Sequence, residues 1–541
     1  MDGGRDTGES IFFEDYQIEE DSDDSGEDND EVSLELPKKI DDEKLGISEK
    51  QAKANLVAAG TEVDEEAERI TVAANENLMN PEVDSILDDI VEELKLPYIP
   101  AEFQRVAVSV LGDMKNLILV SPTGSGKLNI PLWATLVLRR KLKIFKGVGI
   151  ITQPLSSIMK EKKKNGVCEA AVLSMTGELS TSSEGDEGPN LSCDLNDLLD
   201  GKFPILFGHP ESFDSKLGQH ILRELQRLDR IILIGIDEFH QAGQGHWSCF
   251  RPNMMKGSTG LRLYGVKNCP TVAMTATATN SEIKEVVAAL GLRTPPVILT
   301  SSPIQAHIKF SVVRRPSNNF GMDGTTTGKG VKQPGMMDLL MRVYLQKYLD
   351  DLANKIEPKK CIIFCRGNAV IGEIYSRLME LTNYQFKDCR DSPFVMNHSS
   401  LLPPTEQVLT RRASDISLYL SSNKMLLGID LEQIDVIIFL RPYNQLAALV
   451  QGGGRGGRRM GNGKRRKVQV YQFFNSQDFT SLNKLMSPDM KRICLSKNCT
   501  RALLKDYFVG NSENVEGDVE NAAVDLSDCC HNCDKELASL S

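Results

Sequence analysis

"ILVSPTGSGKLNI", residues 118–130, begins as a strand and ends as a phosphate cradle. Ile118, Leu119 and Val120 form an apolar run suited to a buried parallel strand. Thr123-Gly124-Ser125-Gly126 then lets backbone N–H groups turn inward around an anion, and Lys127 would pair the β/γ-phosphates at a helix N-terminus. The pattern G-x-x-x-x-G-K-[ST] is missed at both ends, by Ser121 and by Leu128. In nucleotide-hydrolysing loops of this kind the last hydroxyl is a Mg2+ ligand, and leucine has no oxygen to offer. Asn129, about 100° further around the helix, is a poor substitute, so water is expected at that coordination position. The loss amounts to one polar contact with a charged group, about 1.5–3 kcal/mol, which weakens a nucleotide site without necessarily abolishing it. The competing reading is a Gly-rich strand-to-helix turn that binds nothing.

Working outward, apolar β-type runs alternate with helical patterns up to about residue 300: "GVGIIT", "ILFGH", "RIILIGIDE" and "TVAMTATAT". A second set follows, "KCIIFC", "PFVMNH", "ISLYLS", "DVIIFL" and "KVQVYQFF". Strands alternating with helices imply parallel α/β sheets. The chain divides into residues 1–95, an acidic and largely disordered region ending in the helical pattern "VDSILDDIVEELKLP"; 96–300, a first lobe; 301–336, a connector; 337–480, a second lobe; and 481–541, a cysteine-bearing end. Residues 178–200, rich in Ser, Gly, Glu and Asp, read as a surface insertion in the first lobe.

"ILIGIDEFH" places Asp237, Glu238 and His240 at the carboxyl end of a buried strand, where open α/β sheets bind ligands. Asp237 would hold Mg2+, and Glu238 would orient and deprotonate an attacking water. "TATAT", residues 275–279, could couple that site to the second lobe, and "QGGGRGGR", residues 451–458, supplies Gln451, Arg455 and Arg458 from it. Guanidinium groups reaching a γ-phosphate across a cleft stabilise the charge that grows in the transition state.

In this order of motifs the chain resembles superfamily 2 helicases, and within them the RecQ family. Gln104 stands eighteen positions before Pro122, the separation at which RecQ proteins place an adenine-reading glutamine. "QPLSSIMKEK" (153–162), "GHPES" (208–212), "DEFH", "TATAT", "CIIFC" (361–365), "MNHSSL" (396–401), "LLGID" (426–430) and "QGGGRGGR" follow in family order. The resemblance spans roughly residues 96–535. It implies two RecA-like lobes, ATP and Mg2+ as cofactors, single-stranded and forked DNA as partners, and 3′-to-5′ polarity. It also implies that Trp247, Phe250 and Arg251 of "GQGHWSCFRP" couple DNA binding to hydrolysis, since base stacking on an aromatic ring is worth about 1–3 kcal/mol. The family has Trp before Gly-His, whereas Trp247 follows Gly245-His246 here.

"CTRALLKDYF" (499–508) and "CCHNCDKE" (529–536) resemble the halves of the RecQ zinc-binding region, a small helical module, with Cys499, Cys530 and Cys533 as thiolate ligands. C-x-x-C spacing brings two sulfurs to one tetrahedral ion. The family's last cysteine falls at Glu536, which leaves Cys529, Cys494, His531 or Glu536 as the fourth ligand, with Cys529 the expected one. The chain is expected to lack the winged-helix and the helicase-and-RNase-D C-terminal domains, leaving strand separation to the lobes and the zinc module.

The net charge of −12 is uneven: residues 1–43 hold 18 acidic against 3 basic side chains, and the remainder 57 against 60. Nine of thirteen residues from Glu19 to Glu31 are acidic, so this segment reads as a solvated disordered tail or as a DNA-mimicking or partner-binding tail. Twelve cysteines in 541 residues do not form a secreted disulfide scaffold, and no apolar run approaches a membrane span. The expected location is the nucleus in a eukaryote and the cytoplasm otherwise. "GKRRKV" (463–468) suits a localisation signal, a phosphate contact or a solvated loop. Three functions fit: a RecQ-type ATP-dependent DNA helicase, a catalytically weak or inactive helicase-like DNA-binding adaptor, and an RNA-unwinding motor, since DExH motors serve both nucleic acids.

Overall fold

The computed structural model describes residues 78–95, 99–154, 159, 163, 168–174, 190–239, 269–292, 294–315, 325–326, 332–333, 335–386, 392–397, 415–422, 434–457, 466–480, 486–509 and 529–533. The acidic tail lies outside them.

The Asn80 side chain accepts from the amides of Glu82 and Val83 and so starts α1 (Pro81–Leu94), whose Val83, Leu87 and Ile90 bury one stripe. Then come α2 (Glu102–Gly112), β1 (Leu117–Val120), α3 (Asn129–Lys141), β2 (Val148–Thr152), β3 (Ala170–Ser174), β4 (Asn190–Leu191) and α4 (Leu195–Leu199). The first lobe continues with β5 (Ile205–Gly208), α5 (Pro210–Asp214), α6 (Lys216–Arg227), β6 (Ile231–Asp237), β7 (Thr271–Thr275), α7 (Asn280–Leu290) and β8 (Val297–Thr300). Its eight strands run in the order β4-β3-β5-β2-β6-β7-β1-β8, all parallel except the β3/β4 pair.

Alternation along β1 builds two cores. Leu117 and Leu119 pack with α1, α2 and α3, whereas Ile118 and Val120 face the cluster that holds α6 and α7. Successive strand side chains point to opposite faces, and helices on both sides make every position of β1 apolar.

The second lobe comprises β9 (Ile308–Arg314), the short β10 (Thr325–Thr326) and β11 (Lys332–Gln333), and α8 (Met336–Leu340). After a π turn at Met341–Leu345 come α9 (Gln346–Ala353), β12 (Lys360–Phe364), α10 (Asn368–Leu381), β13 (Phe394–Asn397), β14 (Leu418–Ser421), β15 (Ile434–Phe439), α11 (Leu446–Gly453) and β16 (Val468–Phe474). Its sheet, β13-β14-β12-β15-β16-β9, is wholly parallel. The chain thus folds into two parallel α/β sheets, as its alternating pattern predicts.

Three stretches differ from their composition. Residues 308–314, within the span read as a connector, are β9, paired along its length with β16. The turn formers that signal a connector begin only at Pro316. In the Ser- and Asp-rich insertion, residues 190–199 include β4 and α4, and Leu198 is fully buried. Finally, α12 (Pro488–Leu495) and α13 (Thr500–Val509) share the second lobe's core, with Met490, Ile493, Cys494, Leu504 and Phe508 packed beside Phe310 and Val470.

Candidate nucleotide site and four-cysteine cluster

The loop after β1 is shaped by two glycines, Gly124 and Gly126, with φ of 78° and 80°, in the left-handed region that favours glycine. A Cβ on Gly126 would stand 2.6 Å from Gln104 Nε2. That nitrogen donates to the carbonyls of Ser125 (3.2 Å) and Gly126 (3.1 Å), while Gln104 Oε1 accepts from Ala101 N–H (2.9 Å). In this arrangement both amide hydrogens of Gln104 hold the loop, so the base-reading expectation requires the side chain to turn away from it. Ser121 keeps the loop on the sheet, with its N–H donating to Thr275 O at 3.0 Å and its hydroxyl to Ser125 Oγ at 2.8 Å.

Leu128 is 8% exposed and belongs to the apolar cluster under α3, of which it is the N-cap residue. Its side chain therefore contributes to the core and supplies no oxygen. N-caps prefer Ser, Thr, Asp or Asn, and no side-chain cap is made here.

Asp237 closes β6 and Glu238 follows it with φ 54°, a strained conformation for a residue with a Cβ. Lys127 Nζ lies 3.4 Å from Glu238 Oε1, and Thr275 Oγ1 donates to Glu238 Oε2 at 3.5 Å. Asp237 is 3% exposed; its Oδ2 accepts from Gln153 Nε2 at 2.7 Å, and its Oδ1 has no hydrogen-bond partner among the described residues. Burial first, and the neighbouring Glu238 second, push the Asp237 carboxyl up to about 6. A buried carboxylate oxygen without a donor suits a hard cation such as Mg2+.

The second lobe closes on this edge. Gln451 Nε2, in α11, donates to Thr277 Oγ1 at 3.2 Å, and a Cβ on Gly454 would stand 3.1 Å from Thr123 Cβ. The lobes therefore approach closely at this loop, and a side chain at 454 would require Thr123 to shift by a few tenths of an ångström. Arg455 follows, close enough to Glu238 to feel its charge; burial lowers the guanidinium to about 10 and Glu238 opposes that shift. Gln104, Thr123 to Lys127, Asp237, Glu238, Gln451 and Arg455 are therefore brought to one cleft. His240, Trp247, Phe250, Arg251 and Arg458 lie outside the described residues.

Sequence reasoning assigned no role to three residues at this cleft. Gln153 follows β2, His209 follows β5, and Gln305 reaches from the segment before β9 to donate to Thr123 O at 3.4 Å. For the first two, a position at the carboxyl end of a parallel strand was the available signal.

The sulfurs of Cys499, Cys529, Cys530 and Cys533 all lie within 4.8 Å of one another. Cys499–Cys529 and Cys530–Cys533 are 3.5 Å apart, and Cys530–Cys499 3.8 Å. Four Zn–S bonds of about 2.3 Å in a tetrahedron separate sulfurs by about 3.8 Å, so the donor set fits zinc. Cys529 joins the cluster, whereas Cys494 is buried in the second lobe's core and Val312 N–H donates to His531 Nδ1 at 3.1 Å. Glu536 is outside the described residues. The segment is stitched to β9 by His531 N–H donating to Phe310 O at 3.0 Å, and α13 by Arg501, which donates to the carbonyls of Gln305, Ala306 and Ile308.

Residues 101–286 match the DEAD/DEAH box helicase family. Over 435 residues the chain is 22% identical to ATP-dependent DNA helicase Q-like 5 of Arabidopsis thaliana, covering 79% of this chain and 41% of that one. Over 206 residues it is 24% identical to ATP-dependent DNA helicase RecQ of Pasteurella multocida, covering 37% and 28%. The chain spans less than half the length of these relatives. Among solved structures it resembles the DUF1998 helicase MrfA bound to DNA and AMPPNP, with a TM-score of 0.54, 16% identity and coverage of 77% of this chain and 52% of that one. Mycobacterium smegmatis helicase Lhr bound to ssDNA and AMP-PNP gives 0.51, 16%, 75% and 49%. These structural likenesses establish a shared fold. Among the described residues, no helix is long and apolar enough to cross a membrane.

Proposed function

We propose that this chain, which carries a DEAD/DEAH box helicase domain and has RecQ-family helicases as distant homologues, is an ATP-driven motor that moves 3′-to-5′ on single-stranded DNA and unwinds forked duplexes. One observation carries the reading. Lys127 of the Gly-rich loop lies 3.4 Å from Glu238, and Gln451 of the second lobe donates to Thr277 of the first at 3.2 Å, so the two lobes meet at the sheet edge that carries Asp237 and Glu238.

In this reading ATP enters between Lys127 and Arg455, whose positive charges are poised for the β/γ-phosphates and for charge that grows on the γ-phosphoryl group. Mg2+ would be held by Asp237 and would neutralise phosphate charge when bound. Glu238, released from Lys127 by the incoming phosphates, orients and deprotonates the attacking water. Gln451 and Thr277 couple hydrolysis to the relative position of the lobes, and separation of the lobes drives the step along the strand. The four-cysteine cluster holds zinc and fastens the C-terminal helices to β9. Trp247, Phe250 and Arg251 read the strand by stacking and charge.

The test is ATP hydrolysis by zinc-loaded protein with and without single-stranded DNA, together with unwinding of a duplex bearing a 3′ tail. Stimulated turnover that disappears in Glu238→Gln while DNA binding persists is the expected result. Absence of DNA-stimulated hydrolysis in the parent would falsify the motor reading. A second reading, a DNA-binding adaptor with weak nucleotide affinity, is favoured by the burial of Leu128. It predicts DNA affinity indifferent to ATP and to Glu238→Gln. Competition between matched DNA and RNA strands identifies the nucleic acid.

A further inference from the structure

Gln153 follows the last residue of β2, and the adjacent strand β6 ends at Asp237. The Gln153 amide donates to Asp237 Oδ2 at 2.7 Å, and the two residues are 0% and 3% exposed. The glutamine is itself held from the other side. Its N–H donates to Gly208 O at 3.0 Å, and its carbonyl lies 3.0 Å from Nδ1 of His209, which is 1% exposed. A carbonyl only accepts, so that imidazole nitrogen carries the proton. His209 thus holds the main chain of Gln153 while the Gln153 side chain holds Asp237, the three residues standing at the ends of β5, β2 and β6, neighbours in the sheet.

The two oxygens of Asp237 are thereby made unequal: Oδ2 is occupied by an amide hydrogen, and Oδ1 has no hydrogen-bond partner among the described residues. Where the loop carries a hydroxyl after its lysine, that oxygen and the carboxylate share the placement of the metal. Leu128 has turned its side chain into the core, which leaves the carboxylate to do this without that partner. Building on the nucleotide-site reading above, we infer that Gln153 is a positioning residue. It pins Asp237 in the one orientation that presents Oδ1 to a divalent cation, and His209 fixes Gln153 in turn. A neutral amide suits the task because it donates to the carboxylate without adding a charge that would repel the cation.

The experiment is Mn2+ binding to the full chain with a non-hydrolysable ATP analogue, followed by electron paramagnetic resonance, in the parent, Gln153→Leu and Gln153→Asn. Gln153→Leu keeps the volume and removes the donor; Gln153→Asn keeps the amide but withdraws it by one methylene. Mn2+ affinity is expected to fall about tenfold or more in Gln153→Leu, with Gln153→Asn in between. Affinity for the analogue without metal should stay within about twofold, which a general loosening of the fold would not spare. Mn2+ affinity unchanged in both variants overturns the inference, and if Gln153→Leu does not fold, Gln153→Asn decides alone. A parent that binds Mn2+ with the analogue but never hydrolyses ATP defeats the motor reading and leaves the role of Gln153 to be decided by these affinities. A parent that binds no Mn2+ with the analogue overturns both.

Discussion

The candidate nucleotide cleft and the four-cysteine cluster are both built from distant segments, and they offer opposite kinds of donor to a metal. The cluster presents four soft sulfurs at tetrahedral spacing and is closed, as structural zinc sites are. The cleft presents a hard carboxylate oxygen and no hydroxyl at position 128, a donor set that suits a cation which keeps several waters. If the proposed function holds, substitutions at the two places should fail in different ways, one in turnover and the other in stability.

The largest effect is expected for Arg455→Ala, which removes the guanidinium beside Glu238 and should lower kcat by about 10³–10⁵-fold in steady-state ATPase assays. Thermal stability should hardly change. Glu238→Gln should cost about 10²–10⁴-fold in kcat, and analogue binding by fluorescence should persist because the lysine keeps its phosphate partner. Cys530→Ser should do the reverse. Zinc measured by atomic absorption should fall from about one ion per chain to a small fraction, and the thermal midpoint should drop, because β9 loses the segment stitched to it. Equal damage to turnover and to stability in all three variants would erase the contrast.

Leu128→Ser has two opposed consequences. Restoring a hydroxyl is worth about 1.5–3 kcal/mol at the metal, a rise in kcat/KM of about tenfold or more. Emptying a side chain from the apolar cluster costs stability of about the same size, read as a lower denaturation midpoint. A smaller effect concerns pH. The Asp237 carboxyl is raised from 3.8 to about 6 in the fold, so the unfolded chain ionises first and the metal-free parent loses stability as pH climbs from about 4 to 6. Asp237→Asn lacks this loss, so its stability relative to the parent should grow across that window and then level off, as denaturant titrations at several pH values can measure.

Much of this was legible in the chain. Runs such as "IILIGID" are apolar at nearly every position because both faces of a parallel strand are covered, and they announce the two sheets without any contact information. The positions of the loop glycines, of Asp237 and Glu238 at a strand end, and of the C-x-x-C were likewise readable from local spacing. Less legible was β9, whose "IKFSVVR" follows a polar stretch and pairs with a strand 160 residues later. The burial of Leu128 was also hidden. Its place in the pattern shows only that an oxygen is missing, and its fate depends on how α3 meets the core.

What the sequence by itself determined is the inventory of parts: two α/β lobes, a Gly-rich loop after a strand with Leu128 in place of a hydroxyl, Asp237 and Glu238 at a strand end, and cysteines in C-x-x-C spacing. Only the tertiary structure decided which parts meet. Gln153 reaches Asp237 because β2 lies beside β6 in a strand order that does not follow the chain. Cys499 joins cysteines thirty and more residues away because α13 and the segment at 529–533 are both fastened to β9 or to the chain leading into it. Local spacing governs what a residue can do, but long-range packing brings its partner, because parallel strands that lie side by side are joined by crossovers of a dozen or more residues.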